Sequence, residues 1–316
     1  MAAIGADHIR YFISEKTENS IQFGKSILWQ QLYLHAAKRA GILFILGMVC
    51  QCHLLAFDLS KLFIIHNTLQ AIAIGYLFSV IIYTRLNLKS QLVLTAALVL
   101  VYWAILQFIA VPGHEAGVLT RESNIAKYVE QLVFGRFDDA PAPYTWFLGS
   151  LGFVATVMTG VFASTILRAK NLSFSWLKSD NLQIRKTLLL ILTGLALVIT
   201  GQLLSIWFPI IKPIWNPNFV LFSSGLSFLL MAGFYYIIDV KGYQRWAFWL
   251  KVIGMNSIAV YMGVHFIDFT QISHKLFFGL EQFMGDYYLS FKSVGRLAIT
   301  YGILYYMYKK GTFIKI

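Results

Sequence analysis

Long apolar runs constrain the fold of this chain more than any other feature of its sequence. Eight of them are visible, at 40–57, 63–84, 91–111, 146–168, 185–208, 218–239, 247–267 and 293–308. Most approach the ~20 residues that a helix needs to cross about 30 Å of hydrocarbon. Only 13% of the residues are charged, whereas a soluble domain carries roughly 25%. The sequence therefore predicts an all-α, polytopic transmembrane helical bundle of about eight spans, and it excludes an ordinary soluble enzyme.

The charges predict an orientation in the membrane. Lys and Arg number 26 against 14 Asp and Glu, which gives a net charge of +12. With a cytoplasmic N-terminus and alternating spans, 18 of the basic residues fall on cytoplasmic pieces and 8 on outer ones. Since basic residues gather on cytoplasmic loops, the charge indicates a lipid bilayer and not a nucleic acid as partner. We expect a multi-pass inner-membrane protein with both termini cytoplasmic.

This topology implies two regions. Residues 1–38 are predicted to be a polar cytoplasmic segment without the apolar core of a signal peptide. Residues 39–316 are predicted to form the transmembrane domain, with an outer loop at 112–145. Within that loop, the spacing of apolar residues predicts an amphipathic helix at 124–134 that lies on the outer membrane surface.

Polar residues at membrane depth are costly, so they are the first candidates for function. The second run contains His66, Asn67 and Gln70. His66 and Gln70 are four residues apart, which predicts that they share one helix face. Two interpretations remain open: a reaction site, or hydrogen bonds that hold neighbouring helices together.

The seventh run contains a second polar set. His265 and Asp268 are three residues apart, a spacing that suits a general base and its orienting carboxylate, or alternatively an interfacial hydrogen-bonded pair. Asn256 lies nine residues before His265 and so on the opposite helix side, unless the helix is broken. Cys50 and Cys52 lie on different sides of one helix, and no pattern of ligands predicts a metal.

Several stretches, in order from about residue 38 to the last residue, resemble the family of heparan-alpha-glucosaminide N-acetyltransferase and its bacterial relatives. The resembling stretches are 67–76 (NTLQAIAIGY), 111–117 (VPGHEAG), 149–160, 209–215 (PIIKPIW), 239–242 (DVKG), 254–261 (GMNSIAVY) and 306–316. The resemblance implies transfer of an acetyl group from cytosolic acetyl-CoA to an amino sugar or other saccharide across the membrane. The alternative is a non-catalytic, transporter-like or regulatory membrane protein for amino sugars.

Roles for individual residues follow from this reading. The predicted catalytic residues are His66, His265 and Asp268. The predicted saccharide-binding residues are Asn67, Gln70, His114, Trp215 and Asn256. The predicted acetyl-CoA-binding residues, chosen because basic side chains suit phosphates, are Arg185, Lys186 and Lys241. No metal is expected, and a homodimer is compatible with the reading.

The chain departs from the family at two places. Family members begin with about two further spans that carry a histidine needed for the chemistry, and the resemblance here begins only after them. We therefore expect the catalytic N-terminal part to be absent from this chain. In addition, the family's Leu-Gln-Arg motif reads Leu69-Gln70-Ala71 here, which removes a basic side chain.

Overall fold

The computed structural model describes residues 25–52, 54–59, 61–120, 123–138, 144–172 and 181–314. Across these ranges the regular structure is helical and contains no strand, which confirms the predicted all-α class. The chain divides into two compact units, Met1–Lys241 and Gly242–Ile316.

The first unit contains seven α-helices among its described residues. In chain order they are α1 (Lys25–Gln51), α2 (Thr68–Arg85), α3 (Leu88–Phe108), α4 (Ile125–Phe134), α5 (Gly149–Arg168), α6 (Leu182–Leu204) and α7 (Pro217–Tyr235). A π-helical turn, Tyr236–Val240, extends α7. Because consecutive long helices alternate in direction, the start of α2, the end of α3, the start of α5 and the end of α6 lie at the same end of the bundle.

Asparagine side chains begin most of these helices. In each case the side-chain oxygen accepts a backbone N–H of the first turn, at Asn67, Asn87, Asn124, Asn181 and Asn216. Such a cap satisfies donors that have no partner within the helix, and each contributes about 1 kcal/mol. The apolar runs therefore become helices whose starting residues are defined by their caps.

Glycines allow α6 and α7 to approach each other closely. A Cβ atom added at Gly225 would stand 2.7 Å from the carbonyl oxygen of Gly194. One added at Gly201 would stand 3.0 Å from the backbone nitrogen of Phe222. Backbone contact of this kind is typical of helix pairs in membranes, where small residues replace a hydrophobic driving force.

Six helices of the described chain are long and apolar enough to cross a membrane, so the predicted number of about eight spans is not confirmed. The six segments are Trp29–Gln51, Thr68–Arg85, Leu88–Phe108, Gly149–Arg168, Leu182–Leu204 and Pro217–Val240. The first differs from the prediction of 40–57, because α1 runs unbroken through Lys38 and Arg39 and ends at Gln51. The helix also begins inside the segment 1–38.

The second unit accounts for the other two predicted spans. Its helices are α8 (Phe248–Met255), α9 (Ser257–Phe266), α10 (Phe269–Phe277), the single turn α11 (Glu281–Met284) and α12 (Tyr288–Lys309). The predicted span 247–267 is bent by 60° between Met255 and Ser257, so it forms at most one broken span. The predicted span 293–308 lies within α12, which is not one of the six because tyrosines and the charges of Lys292 and Arg296 interrupt its apolar character.

Candidate functional site

Helix α4 buries its charged side and exposes apolar side chains. Lys127 and Glu130 are 4% and 1% exposed, whereas Leu132 and Val133 are 67% and 49% exposed. The helix predicted at 124–134 is confirmed, with Asn124 as its cap. Its location on the outer membrane surface stays a prediction. The outward-facing leucine and valine are compatible with contact to lipid.

Lys127 forms a buried ion pair with Asp138, which follows α4. The Lys127 Nζ atom lies 2.9 Å from the Asp138 Oδ1 atom, and the two side chains are 5% and 3% exposed. The second carboxylate oxygen of Asp138, Oδ2, is also buried and has no hydrogen-bond partner in the described parts of the chain. One oxygen of this carboxylate is therefore matched by an ammonium group, and the other has no donor among the described residues.

Glu130, one turn further along α4, holds the start of the segment that leads into α5. Both of its carboxylate oxygens accept the backbone N–H of Trp146, at 3.1 and 3.0 Å. The Trp146 ring packs against the rings of Tyr144, 5.9 Å away, and His66, 6.5 Å away. Its indole Nε1 is buried and, as far as the described residues go, finds no hydrogen-bond partner.

Backbone contacts bring these pieces to one end of the first unit. The N–H of Ile64 donates to the carbonyl oxygen of Phe137, 3.2 Å away, which joins the segment before α2 to the end of the α4 region. The N–H of Thr145 donates to the carbonyl oxygen of Pro213, 3.1 Å away, in the segment before α7. We call the five side chains gathered here the α4 cluster; they are His66, Lys127, Glu130, Asp138 and Trp146.

His66 is the one predicted catalytic residue that belongs to this cluster, but it does not share a helix face with Gln70. Helix α2 starts after His66, with Asn67 as its cap. Gln70 folds back and accepts the His66 backbone N–H at 2.9 Å, while its amide donates to the Ile64 carbonyl oxygen at 2.6 Å. The expectation of a shared face is thus wrong, because an N-cap interrupts the helical spacing.

Asn67 and Gln70, two of the predicted saccharide-binding residues, form hydrogen bonds with backbone groups through their side-chain amides. Asn67 accepts the N–H groups of Leu69 and Gln70 and donates to the carbonyl oxygen of Gly47, 2.7 Å away on α1. Asn67 and Gln70 are 2% and 0% exposed. These contacts favour the interpretation of a hydrogen-bonded joint between α1 and α2.

Trp215 and His114 lie outside the α4 cluster. Trp215 has a left-handed backbone with φ of 47°, and its indole N–H donates to the Thr156 hydroxyl, 3.1 Å away on α5. Its ring contacts Phe153 and Phe219, so it serves as a wedge between α5 and α7. His114 is exposed at a turn in the loop after α3.

The predicted acetyl-CoA-binding residues lie at the other end of the same helices. Arg185 donates to the carbonyl oxygen of Leu172 at 2.9 Å, and Lys186 donates to that of Leu167 at 2.6 Å. Both thereby bind carbonyl groups at or just beyond the C-terminal end of α5, where cations are favourable. The Lys241 ammonium is exposed and lies over the Tyr236 ring, 5.5 Å from its centroid.

In the second unit, the helix break separates Asn256 from the other predicted residues. The side chain of Asn256 is fully buried; it accepts the N–H of Ile314 at 3.2 Å and donates to the carbonyl oxygen of Thr312 at 3.4 Å. It therefore holds the C-terminal tail against the bend between α8 and α9. The sequence predicts that Asn256 and His265 lie on opposite sides of the helix unless the helix is broken. The bend of 60° between Met255 and Ser257 is such a break.

His265 and Asp268 do not form the expected pair. The Nδ1 atom of His265 lies 2.7 Å from the carbonyl oxygen of Tyr261 in the preceding turn. Asp268 caps α10 by accepting the N–H groups of Thr270 and Gln271. Both residues are exposed. Because each side chain has a partner in the neighbouring backbone, His265 belongs to the end of α9 and Asp268 to the start of α10.

The sequence interpretation missed Lys127, Glu130, Asp138 and Trp146. A signal was present, since Lys127 and Glu130 are three residues apart on a helix between two apolar spans. The prediction for this helix rests only on its apolar spacing and assigns no role to its charged residues. Comparison with known sequences adds no assignment, because neither a family model nor a curated protein matches this chain.

Proposed function

We propose that this chain acts as a multi-pass membrane acyltransferase, with the α4 cluster on its acceptor side. The substrates would be acetyl-CoA, entering from the cytoplasm, and an amino sugar or other saccharide on the far side of the membrane. The observation that carries the proposal is the burial of Lys127, Glu130 and Asp138 beside His66 and Trp146 at one end of an apolar bundle.

Buried charges of this kind are costly. Taking a charge out of water into a protein interior costs several kcal/mol per ion, and groups held in such environments are concentrated at functional sites. A purely structural ion pair is weak evidence for stability, since apolar side chains of similar volume stabilise a core equally well. A reaction site would account for the burial of these three charged side chains.

The chemistry would use His66 as the base. In the proposed reaction the amine nitrogen of the acceptor attacks the thioester carbonyl carbon, an amide C–N bond forms and the C–S bond breaks. A neutral imidazole would take the proton from the amine, and coenzyme A would leave as its thiol after taking up one proton. The aromatic surroundings of His66, formed by Phe63 and Trp146, keep the imidazole in an apolar setting.

The opposite end of the bundle suits the donor. The described parts of the chain there carry basic residues and no acidic ones on the α2–α3 and α5–α6 connections; the basic residues are Arg85, Lys89, Arg168, Lys170, Arg185 and Lys186. Arginine and lysine suit the phosphate groups of a coenzyme A thioester. Facing the cytoplasm, this end would also satisfy the distribution of positive charge in membrane proteins.

The test is acetyl transfer by the purified full chain in liposomes. Radiolabelled acetyl-CoA is supplied on one side and glucosamine on the other, and labelled N-acetylglucosamine is counted. We expect turnover that falls at least 100-fold in His66→Ala, the scale of a lost general base. Asn87→Ala, which removes the cap of α3 at the other end of the bundle, is the control for a general loss of stability.

Two results would contradict the proposal. One is the absence of transfer to every amino sugar tested while the chain remains folded. The other is a full rate in His66→Ala. Saccharide binding without transfer would instead support the non-catalytic alternative.

A further inference from the structure

The α4 cluster contains one unmatched acceptor and one unmatched donor, both buried. The acceptor is Oδ2 of Asp138 and the donor is Nε1 of Trp146; neither atom has a hydrogen-bond partner in the residues that the structure describes. Asp138 and Trp146 are each 8% exposed. Leaving a polar group buried and unpaired costs about 1–3 kcal/mol, so each such group in a folded protein calls for an explanation.

The two atoms are held in place from a single helix. Lys127 fixes Asp138 through its ammonium group, and Glu130 fixes Trp146 through the backbone N–H. Lys127 and Glu130 are neighbours on one face of α4, one turn apart, which corresponds to about 5 Å along the axis. Asp138 and Trp146 are also joined through Ile64, whose N–H donates to the carbonyl oxygen of Phe137, the neighbour of Asp138, and whose side chain packs against the apolar cluster that contains Trp146.

We propose that Asp138 and Trp146 form a subsite for two hydroxyl groups of a saccharide ring, one donating to Oδ2 and the other accepting from Nε1. The ligand group that contacts Asp138 is neutral, because the Asp138 carboxylate already forms an ion pair with the Lys127 ammonium group, 2.9 Å away. A second ammonium would have to compete with that of Lys127. Tyr144, which is 36% exposed, offers an aromatic face beside Trp146, with the two ring centroids 5.9 Å apart.

This inference rests on the proposed function for the location of the acceptor, and it deepens that proposal by assigning ring hydroxyls, and not the amine, to the Asp138 side. The amino group is thereby left for His66, whose ring centroid lies 6.5 Å from that of Trp146. Binding tests the inference without transfer, so a failure of catalysis and a failure of hydroxyl recognition are distinguishable.

The experiment measures binding of methyl glucoside and of glucosamine by calorimetry. It uses the full chain in lauryldimethylamine oxide, a detergent without a sugar head group. We expect both ligands to bind with affinities within about threefold of each other, because the hydroxyls and not the amine are recognised. Trp146→Phe should weaken both about tenfold, the effect of one hydrogen bond of roughly 1.4 kcal/mol.

The rise in melting temperature on addition of methyl glucoside provides a second readout, because the smaller ring of Trp146→Phe lowers the melting temperature of the ligand-free protein through lost packing alone. This rise should shrink in Trp146→Phe if the indole N–H binds the ligand, whereas a purely structural role would leave the rise as in the parent. Trp103→Phe, on α3 and away from the cluster, is the matched control and should bind as the parent does. Unchanged affinity in Trp146→Phe, binding of glucosamine without methyl glucoside, or no saccharide binding at all would each overturn the inference.

Discussion

Lys127 and Asp138 form an ion pair across the end of α4 that is almost completely shielded from solvent, with 2.9 Å between the ammonium nitrogen and the carboxylate oxygen. Removing one partner leaves the other charge buried. We expect Lys127→Met to lower the free energy of unfolding by about 3–5 kcal/mol. Unfolding in detergent with increasing denaturant would measure it.

The pair Lys61 and Asp58 is the matched control. Its atoms are 3.5 Å apart, and its side chains are 68% and 42% exposed. Lys61→Met should change stability by no more than about 1 kcal/mol, because water and salt already screen the charges. The double variant with Lys127→Met and Asp138→Leu should recover much of the loss. An equal effect of both single Lys changes would contradict the burial of the Lys127 pair.

Gly47 on α1 provides a prediction about helix packing. A Cβ atom there would stand 2.6 Å from Oδ1 of Asn67 and 2.7 Å from Cγ of Gln70. Gly47→Ala should therefore displace the cap of α2 and destabilise the protein by about 1–3 kcal/mol. The melting temperature is the readout.

Gly41, on the same helix, has no atom within 4 Å of an added Cβ. Gly41→Ala should be neutral or stabilise by up to about 1 kcal/mol, because alanine has the higher helix propensity. If both alanines behave alike, α1 and α2 do not approach each other as described.

Asn256 and the C-terminal tail should be coupled energetically. Asn256→Ala removes the hydrogen bonds to Thr312 and Ile314, and deletion of residues 312–316 removes the same bonds from the other side. Each change should cost about 1–3 kcal/mol. Since they remove one shared interaction, the combined variant should lose little more than either alone. Additive losses would show that the tail and the bend are independent.

The orientation of the bundle can be tested by cysteine labelling. In a background without Cys50 and Cys52, an impermeant maleimide should label Lys89→Cys only from the cytoplasm and His114→Cys only from outside. The expectation follows from the distribution of basic residues. The reverse pattern would place the α4 cluster on the cytoplasmic side and remove the proposed geometry of transfer.

The spans of the first unit were predictable because an apolar run of about 20 residues has few alternatives in a membrane. The start of α2 was one local error: Phe63 to His66 continue the apolar run, yet Asn67 caps the helix one residue later. That error also produced the wrong expectation for His66 and Gln70. A capping asparagine inside an apolar run is a better guide to a helix start than hydropathy is.

The α4 cluster was not predictable, for a different reason. The spacing of Lys127 and Glu130 shows that they share a helix face, but it does not show which face is buried. In a soluble domain the apolar face is the buried one, whereas next to a bilayer Leu132 and Val133 can face outward at no cost. The partners of the charges, Asp138 and the Trp146 backbone, lie beyond the helix and come close only through the tertiary fold.

The bend at Asn256 has a consequence for the biosynthesis of the second unit. Helix α9 has ten residues and so a length of about 15 Å, half of what a span requires. Helix α8 has eight residues. Only together do the two halves have the length and apolar character of one bent span. The partners of Asn256 at the bend, Thr312 and Ile314, are made more than 50 residues after it, so the bend receives these hydrogen bonds late in synthesis.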